Sequence, residues 1–204
     1  MDVQNFDCGF PYIVVDNLYD ENELNIIWQE LNFLSYSNKL QPPMETGAEM
    51  DLDGNYVKSN SGIFLEEIFS NLKYSNIFKV NRKLFNIGIY KHPSWFFKHI
   101  MYKLNHDTTL ISYYDDGDQY APHRDASTIS TLTWLYRKPK RFEGGDLYFT
   151  EYNECVRVKN NRALIFPGCI EHAVDHVSME KNYRGKYLGR YCLTNFIKRY
   201  VDIV

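Results

Sequence analysis

The apolar residues of this chain change period along its length, and the elements follow from that. Residues 10–16, FPYIVVD, form a short apolar run of strand length. From Asp20 the stretch DENELNIIWQELNFL takes a helical period, with Leu24, Ile27, Trp28, Leu31 and Leu34 on one stripe that reads as core packing. Asp20 and Glu23 have the spacing of a capping box, in which each side chain satisfies a free amide of the first turn. A second helix is predicted over about 63–73 from Leu65, Ile68, Phe69 and Leu72, and a third after Pro93 with Trp95, Phe96 and Ile100. Between the first two helices lies a polar, turn-rich stretch, 36–62, with Pro42-Pro43, Gly47 and Gly54. A polar segment of that length inside a domain is expected to be a functional flap or mobile loop.

After residue 107 the runs become short, β-branched or aromatic, and are separated by turn residues: TTLISYYDD, STISTLTWLYR, GGDLYFTEY, ECVRVK, RALIFPG, CIEHAVDHV and GRYCLTNFIKRYV. With the piece around Tyr120–Arg124 they make about eight strands, a density that predicts a sandwich or jelly roll. Helices first and strands after give an α+β chain, mainly β. It is expected to be one domain, 1–204, in which a helical part, 1–107, buttresses a jelly-roll core, 108–204.

Composition narrows the function classes. The 44% apolar and 24% charged content is that of a soluble globular chain, and the 16% aromatic content favours sheet. A net charge of −3 supplies no basic field, which argues against a nucleic-acid partner. Cys8, Cys155, Cys169 and Cys192 form no CxxC pair, as expected of reduced thiols in a cytoplasmic setting. No signal peptide, membrane-spanning run or Asn-x-Ser/Thr acceptor is found, so a soluble intracellular protein is expected. DLDG at 51–54 suggests a calcium loop, but Tyr56 and Gly62 stand where that loop needs glycine and glutamate, and the reading is rejected.

The chemistry gathers around QYAPHRDAS, 119–127. His123-x-Asp125 falls where one strand turns into the next, and His172 lies on a later strand in CIEHAVDH. Two imidazoles and one carboxylate on one face of an octahedral ion leave three positions open, the facial triad of non-haem Fe(II) oxygenases. A structural zinc site would be closed by four ligands, often thiolates, and no cysteine is placed to complete one. His176 competes with His172, since side chains four apart on a strand share a face. Arg190, amid strand formers in GRYCLTNFI, would be costly to bury without an anion; its planar fork suits the carboxylate of a small molecule.

Taken together, SYYDDGDQYAPHRD, EGGDLYF, RALIFPGCIEHAV and RYCLTNFI resemble the successive motifs of the Fe(II)/2-oxoglutarate-dependent dioxygenases, in particular the prolyl-4-hydroxylase-like branch. The resemblance covers about 108–200 and implies a double-stranded β-helix. It implies His123, Asp125 and His172 as catalytic iron ligands, with HAV after IFPG favouring His172 over His176. It implies Arg190 as partner of the 2-oxoglutarate C5 carboxylate, Tyr113 as a further cosubstrate contact, and Gly144-Gly145 as a turn into the next strand. Where related prolyl hydroxylases carry a second cosubstrate tyrosine, this chain has Trp134, whose indole N–H can still donate. The implied cofactors are Fe(II), 2-oxoglutarate and O2, with ascorbate as an auxiliary reductant. The implied reaction hydroxylates a C–H bond, releasing succinate and CO2, with proline in a peptide or protein as the expected substrate. Asp125 favours hydroxylation over halogenation, because halogenating relatives lack that carboxylate. Alternatives are the same chemistry on a small molecule, another amino-acid residue or an alkylated base, or a non-catalytic jelly-roll binding module. Base-repair relatives carry a second arginine where this chain has Phe196.

Overall fold

The computed structural model describes residues 1–47, 54 and 57–200. Its elements run β1 (Asp2–Asp7), β2 (Pro11–Asp16), α1 (Glu21–Tyr36), β3 (Ser61–Phe64), α2 (Leu65–Ile68), α3 (Asn76–Asn81), α4 (Trp95–Ile100), β4 (His106–Tyr114) and β5 (Tyr120–His123). They continue with β6 (Ile129–Leu135), β7 (Phe142–Gly144), β8 (Leu147–Phe149), β9 (Glu154–Val156), β10 (Arg162–Pro167), β11 (His172–Val174), β12 (Val177–Met179) and β13 (Arg190–Lys198). A seven-stranded sheet has the order β1-β2-β10-β6-β13-β4-β3, and a four-stranded sheet the order β5-β11-β8-β9, while β12 and β7 form a ribbon. The strand pairs among the described residues are antiparallel, giving the jelly-roll core of an α+β, mainly β fold.

Strand parity explains how the large sheet serves two cores. Ile13 and Val15 of β2, Ile165 of β10, Leu193 of β13 and Ile111 of β4 pack with Ile27, Leu31 and Leu34 of α1. The alternate residues, Tyr12 and Val14, Leu164 and Phe166, Leu132 and Trp134, face the other way and pack on Leu147, Phe149 and Val174 of the smaller sheet. A side chain's parity on these strands therefore decides whether it meets the helices or the space between the sheets.

Local signals account for the entry to α1. Asp20 accepts from the Glu23 amide at 2.9 Å and its own amide donates to Glu23 at 2.8 Å, so the predicted capping box forms. The helical reading of 63–73 is corrected: Ser61–Phe64 pairs with β4, only Leu65–Ile68 is α-helical, and Leu72–Tyr74 is a separate 3-10 turn. The apolar spacing there records burial in the core beneath α1 and β4 more than a continuous helix. The description of 1–107 as a helical part also changes, because β1, β2 and β3 all join the large sheet. CIEHAVDHV, where one strand was expected, holds β11 and then, after a break, the first residue of β12. Positions 51–53 and 56 of the rejected calcium loop, and with them part of the expected 36–62 flap, lie outside the described residues. No helix among the described residues is long and apolar enough to cross a membrane.

Candidate active site

His172 of β11 stands directly opposite His123 of β5 in the strand register, so pairing alone brings the two imidazoles together, with ring centroids 4.2 Å apart. Asp125 follows β5 by two residues, its amide donating to the Gly168 carbonyl at 2.9 Å. One ligand atom from each of His123, Asp125 and His172 lies within 4.8 Å of the others. The His123 and His172 Nε2 atoms are each 3.7 Å from a different oxygen of Asp125.

The surroundings fix the state of each group. Nδ1 of His123 bonds the Ala121 carbonyl at 2.9 Å and Nδ1 of His172 bonds the Ile170 carbonyl at 3.0 Å. Each Nδ1 must carry the proton to donate, which leaves both Nε2 lone pairs facing the carboxylate. Burial, helped by the neighbouring imidazole, pushes His123 down to about 4, and burial pushes His172 down to about 4. Both rings are therefore neutral at pH 7, as metal ligands must be. Burial raises the Asp125 carboxyl, opposed first by the hydroxyl of Ser130, which donates to Oδ2. The Tyr120 ring stacks on His123 at 3.5 Å, and Phe166 meets His172 edge-on.

A cavity of about 300 Å³ opens beside the triad, walled by Leu110, Ser112 and Tyr114 of β4, Leu132 of β6, and Cys192, Thr194 and Phe196 of β13. Arg190 and Trp134 continue the same rows one strand step further, where both are fully buried. The Arg190 guanidinium lies over the Tyr114 ring at 4.5 Å and beside the Trp134 ring at 5.6 Å. None of its three nitrogens, nor Nε1 of Trp134, has a hydrogen-bond partner among the described residues. Four unsatisfied buried donor nitrogens, one group cationic, are what an enclosed carboxylate requires. The triad and these donors fit Fe(II) and 2-oxoglutarate respectively.

Not every expected residue comes to the cavity. Tyr113 is on the helical face of β4, packed on Tyr187 and Tyr191, and its hydroxyl accepts from the Gly189 amide at 3.1 Å. Tyr114 occupies the cavity wall in its place. His176 is exposed in the break between β11 and β12, outside the triad. Gly144, the last residue of β7, and Gly145, which follows it, adopt φ of 70° and 73°, and a side chain at Gly145 would meet Arg190 Cδ at 2.9 Å. Arg124 also reaches the cavity wall, but its charge is engaged by Glu151 at 2.7 Å and Glu171 at 3.2 Å. Sequence reasoning missed Lys58, Thr46 and Gly47, which bring part of the 36–62 stretch to the cavity. Lys58 is 4% exposed, donates to the Thr46 carbonyl at 2.8 Å and sits over the Tyr120 ring at 5.6 Å. Burial brings its ammonium down to about 8, against the pull of Asp125.

A jelly roll with an open His-Asp-His site and a buried cationic pocket beside it defines the non-haem iron oxygenase class. The family model described as "2OG-Fe(II) oxygenase superfamily" matches residues 109–198, the stretch that carries the triad and Arg190. A search of curated protein sequences gives no significant match. Among solved structures, a Pseudomonas putida prolyl-4-hydroxylase superposes with TM-score 0.62 at 12% identity, covering 95% of each chain. The viral collagen prolyl hydroxylase of Paramecium bursaria Chlorella virus-1, solved with 2OG, gives 0.54 at 12% identity, covering 93% of this chain and 96% of that one. A Trichoplax adhaerens prolyl hydroxylase bound to a hypoxia inducible factor peptide gives 0.55 at 15% identity, covering 92% and 83%. At these identities the likeness is one of fold.

Proposed function

We propose that this oxygenase hydroxylates a C–H bond of a proline residue in a peptide or protein, consuming 2-oxoglutarate and O2 and releasing succinate and CO2. The observation that carries the cosubstrate assignment is the set of unpartnered donors on Arg190 and Trp134 beside the triad. His123, Asp125 and His172 would hold Fe(II), which when bound supplies the O2 chemistry and the oxidative decarboxylation. Arg190 binds the distal carboxylate through its fork and Trp134 adds an indole N–H, orienting the oxo acid before reaction. The Tyr114 hydroxyl, on the cavity face, takes the contact that the resemblance gives to Tyr113. Ser130 holds the Asp125 carboxylate in orientation, and the carbonyls of Ala121 and Ile170 hold the two imidazole tautomers.

Proline as the target is supported by the prolyl hydroxylases among the structural neighbours. The apolar Phe64 and Phe196 side chains, with ring centroids 6.4 Å apart on the cavity wall, offer a surface for a pyrrolidine ring. The four free thiols support a reducing, intracellular setting. The test is a peptide-library screen for a +16 Da product formed in step with succinate. Proline-containing hits support the reading; coupled hydroxylation confined to other residues or to small molecules overturns the prolyl assignment.

A further inference from the structure

The charges around the cavity leave Lys58 unaccounted for. It is 4% exposed, and its ammonium has one hydrogen-bond acceptor among the described residues, the neutral Thr46 carbonyl. Asp125 is the sole acid on the cavity wall among the described residues, and it belongs to the metal triad. With the site loaded, the dication, the Asp125 carboxylate, the dianionic oxo acid and Arg190 cancel in formal charge, because both histidines are neutral. Lys58 is then one further buried positive charge with no counterion among the described residues, an arrangement that is costly unless an anion joins it. Arg124 cannot be regarded in the same way, since Glu151 and Glu171 already pair with it.

Position says which molecule brings that anion. Lys58 approaches from the 36–62 stretch, its backbone bridged to Tyr120 of β5, whereas Arg190 lies on β13 between Tyr114 and Trp134. The Tyr120 ring beneath the ammonium is also stacked on His123, so Lys58 sits on the metal side of the cavity. We infer that Lys58 is a specificity residue that receives a carboxylate of the substrate, close to the bond to be hydroxylated. This rests on the iron and 2-oxoglutarate reading of the site. The carboxylate belongs either to an acidic residue flanking the target in a peptide or to a free amino acid; the chemistry at Lys58 is the same.

The test uses the full chain loaded with Mn(II) and 2-oxoglutarate without O2, so that binding is read without turnover. Blocked pentapeptides with glutamate on both sides of a central proline are titrated against their glutamine counterparts, and L-proline against L-prolinamide. The carboxylate member of at least one pair should bind about tenfold or more tightly. Lys58→Met should remove that difference by weakening the carboxylate ligand alone, and Lys58→Arg should restore part of it. Whichever pair shows the effect identifies the source of the carboxylate. No carboxylate preference in either pair, equal weakening of both members by Lys58→Met, or weakened binding of 2-oxoglutarate itself would overturn the inference. Repeating the peptide pair with valine at the centre separates the two claims: an acid preference retained there without a proline preference overturns the prolyl reading and leaves Lys58 standing. Failure of the wild-type protein to bind 2-oxoglutarate overturns the cosubstrate reading on which both depend.

Discussion

Arg190 and Trp134 hold four donor nitrogens away from water with no acceptor among the described residues, and such groups cost stability in the free protein. They become favourable only when an anion arrives. Arg190→Met should therefore leave the melting temperature of the ligand-free protein unchanged or higher, while abolishing the stabilisation that 2-oxoglutarate gives the wild type. Its KM for 2-oxoglutarate should rise on the order of 100-fold, the scale expected for losing a charge-assisted fork. A variant that melts lower in the free state yet keeps its 2-oxoglutarate stabilisation would mean that Arg190 is a structural residue. Arg190 was recognisable in the sequence because a cation among strand formers needs an explanation. The tyrosine expected on the cavity at Tyr113 stands instead at Tyr114, and one residue on a strand reverses the face. Nothing in the local pattern warns of this, because β4 is buried on both faces from Leu110 to Tyr114 and loses the alternation that would mark the cavity side.

At the scale of elements, the β7–β8 turn supports the proposed cosubstrate pocket around Arg190 from behind. Gly145 has φ of 73°, and a methyl group there would lie 2.9 Å from Arg190 Cδ and 3.1 Å from Val177 Cγ2. Gly145→Ala should raise the KM for 2-oxoglutarate about tenfold while leaving metal binding intact, as measured by metal titration with and without the oxo acid. Equal loss of both would indicate general damage to the fold. The triad motifs were readable because each occupies a short stretch whose partner lies in strand register, as His123 and His172 do. The elements of the first 107 residues were less so. β1 is exposed at every position and carries no apolar alternation, and β3 runs without a turn signal into α2, where Leu65 and Ile68 suggest a longer helix.

For the whole molecule, the large sheet joins the N-terminal strands to the jelly roll, and one of its ties responds to pH. Asp16 at the end of β2 accepts from Arg162 Nε at 2.7 Å and Nη2 at 2.9 Å, and from Lys159 at 2.8 Å. The Arg162 hydrogen bonds, partly opposed by burial, bring its carboxyl from 3.8 to about 2. A depressed carboxyl pKa adds stability above the unfolded value and loses it as pH falls through the folded one. The contribution, about 1–2 kcal/mol, should thus be present above pH 4 and disappear towards pH 2. Asp16→Asn should lower stability at pH 7 and flatten the loss over that interval in urea melts. An unchanged acid slope would show that the tie lies elsewhere.

The central claim is that His123, Asp125 and His172 hold an iron to which 2-oxoglutarate binds, and it can be read directly by absorption. Mixing the protein with Fe(II) and 2-oxoglutarate in the absence of O2 should give a weak visible charge-transfer band, and Asp125→Ala should abolish it. A band that persists in that variant, or one absent from the wild type, would contradict the account.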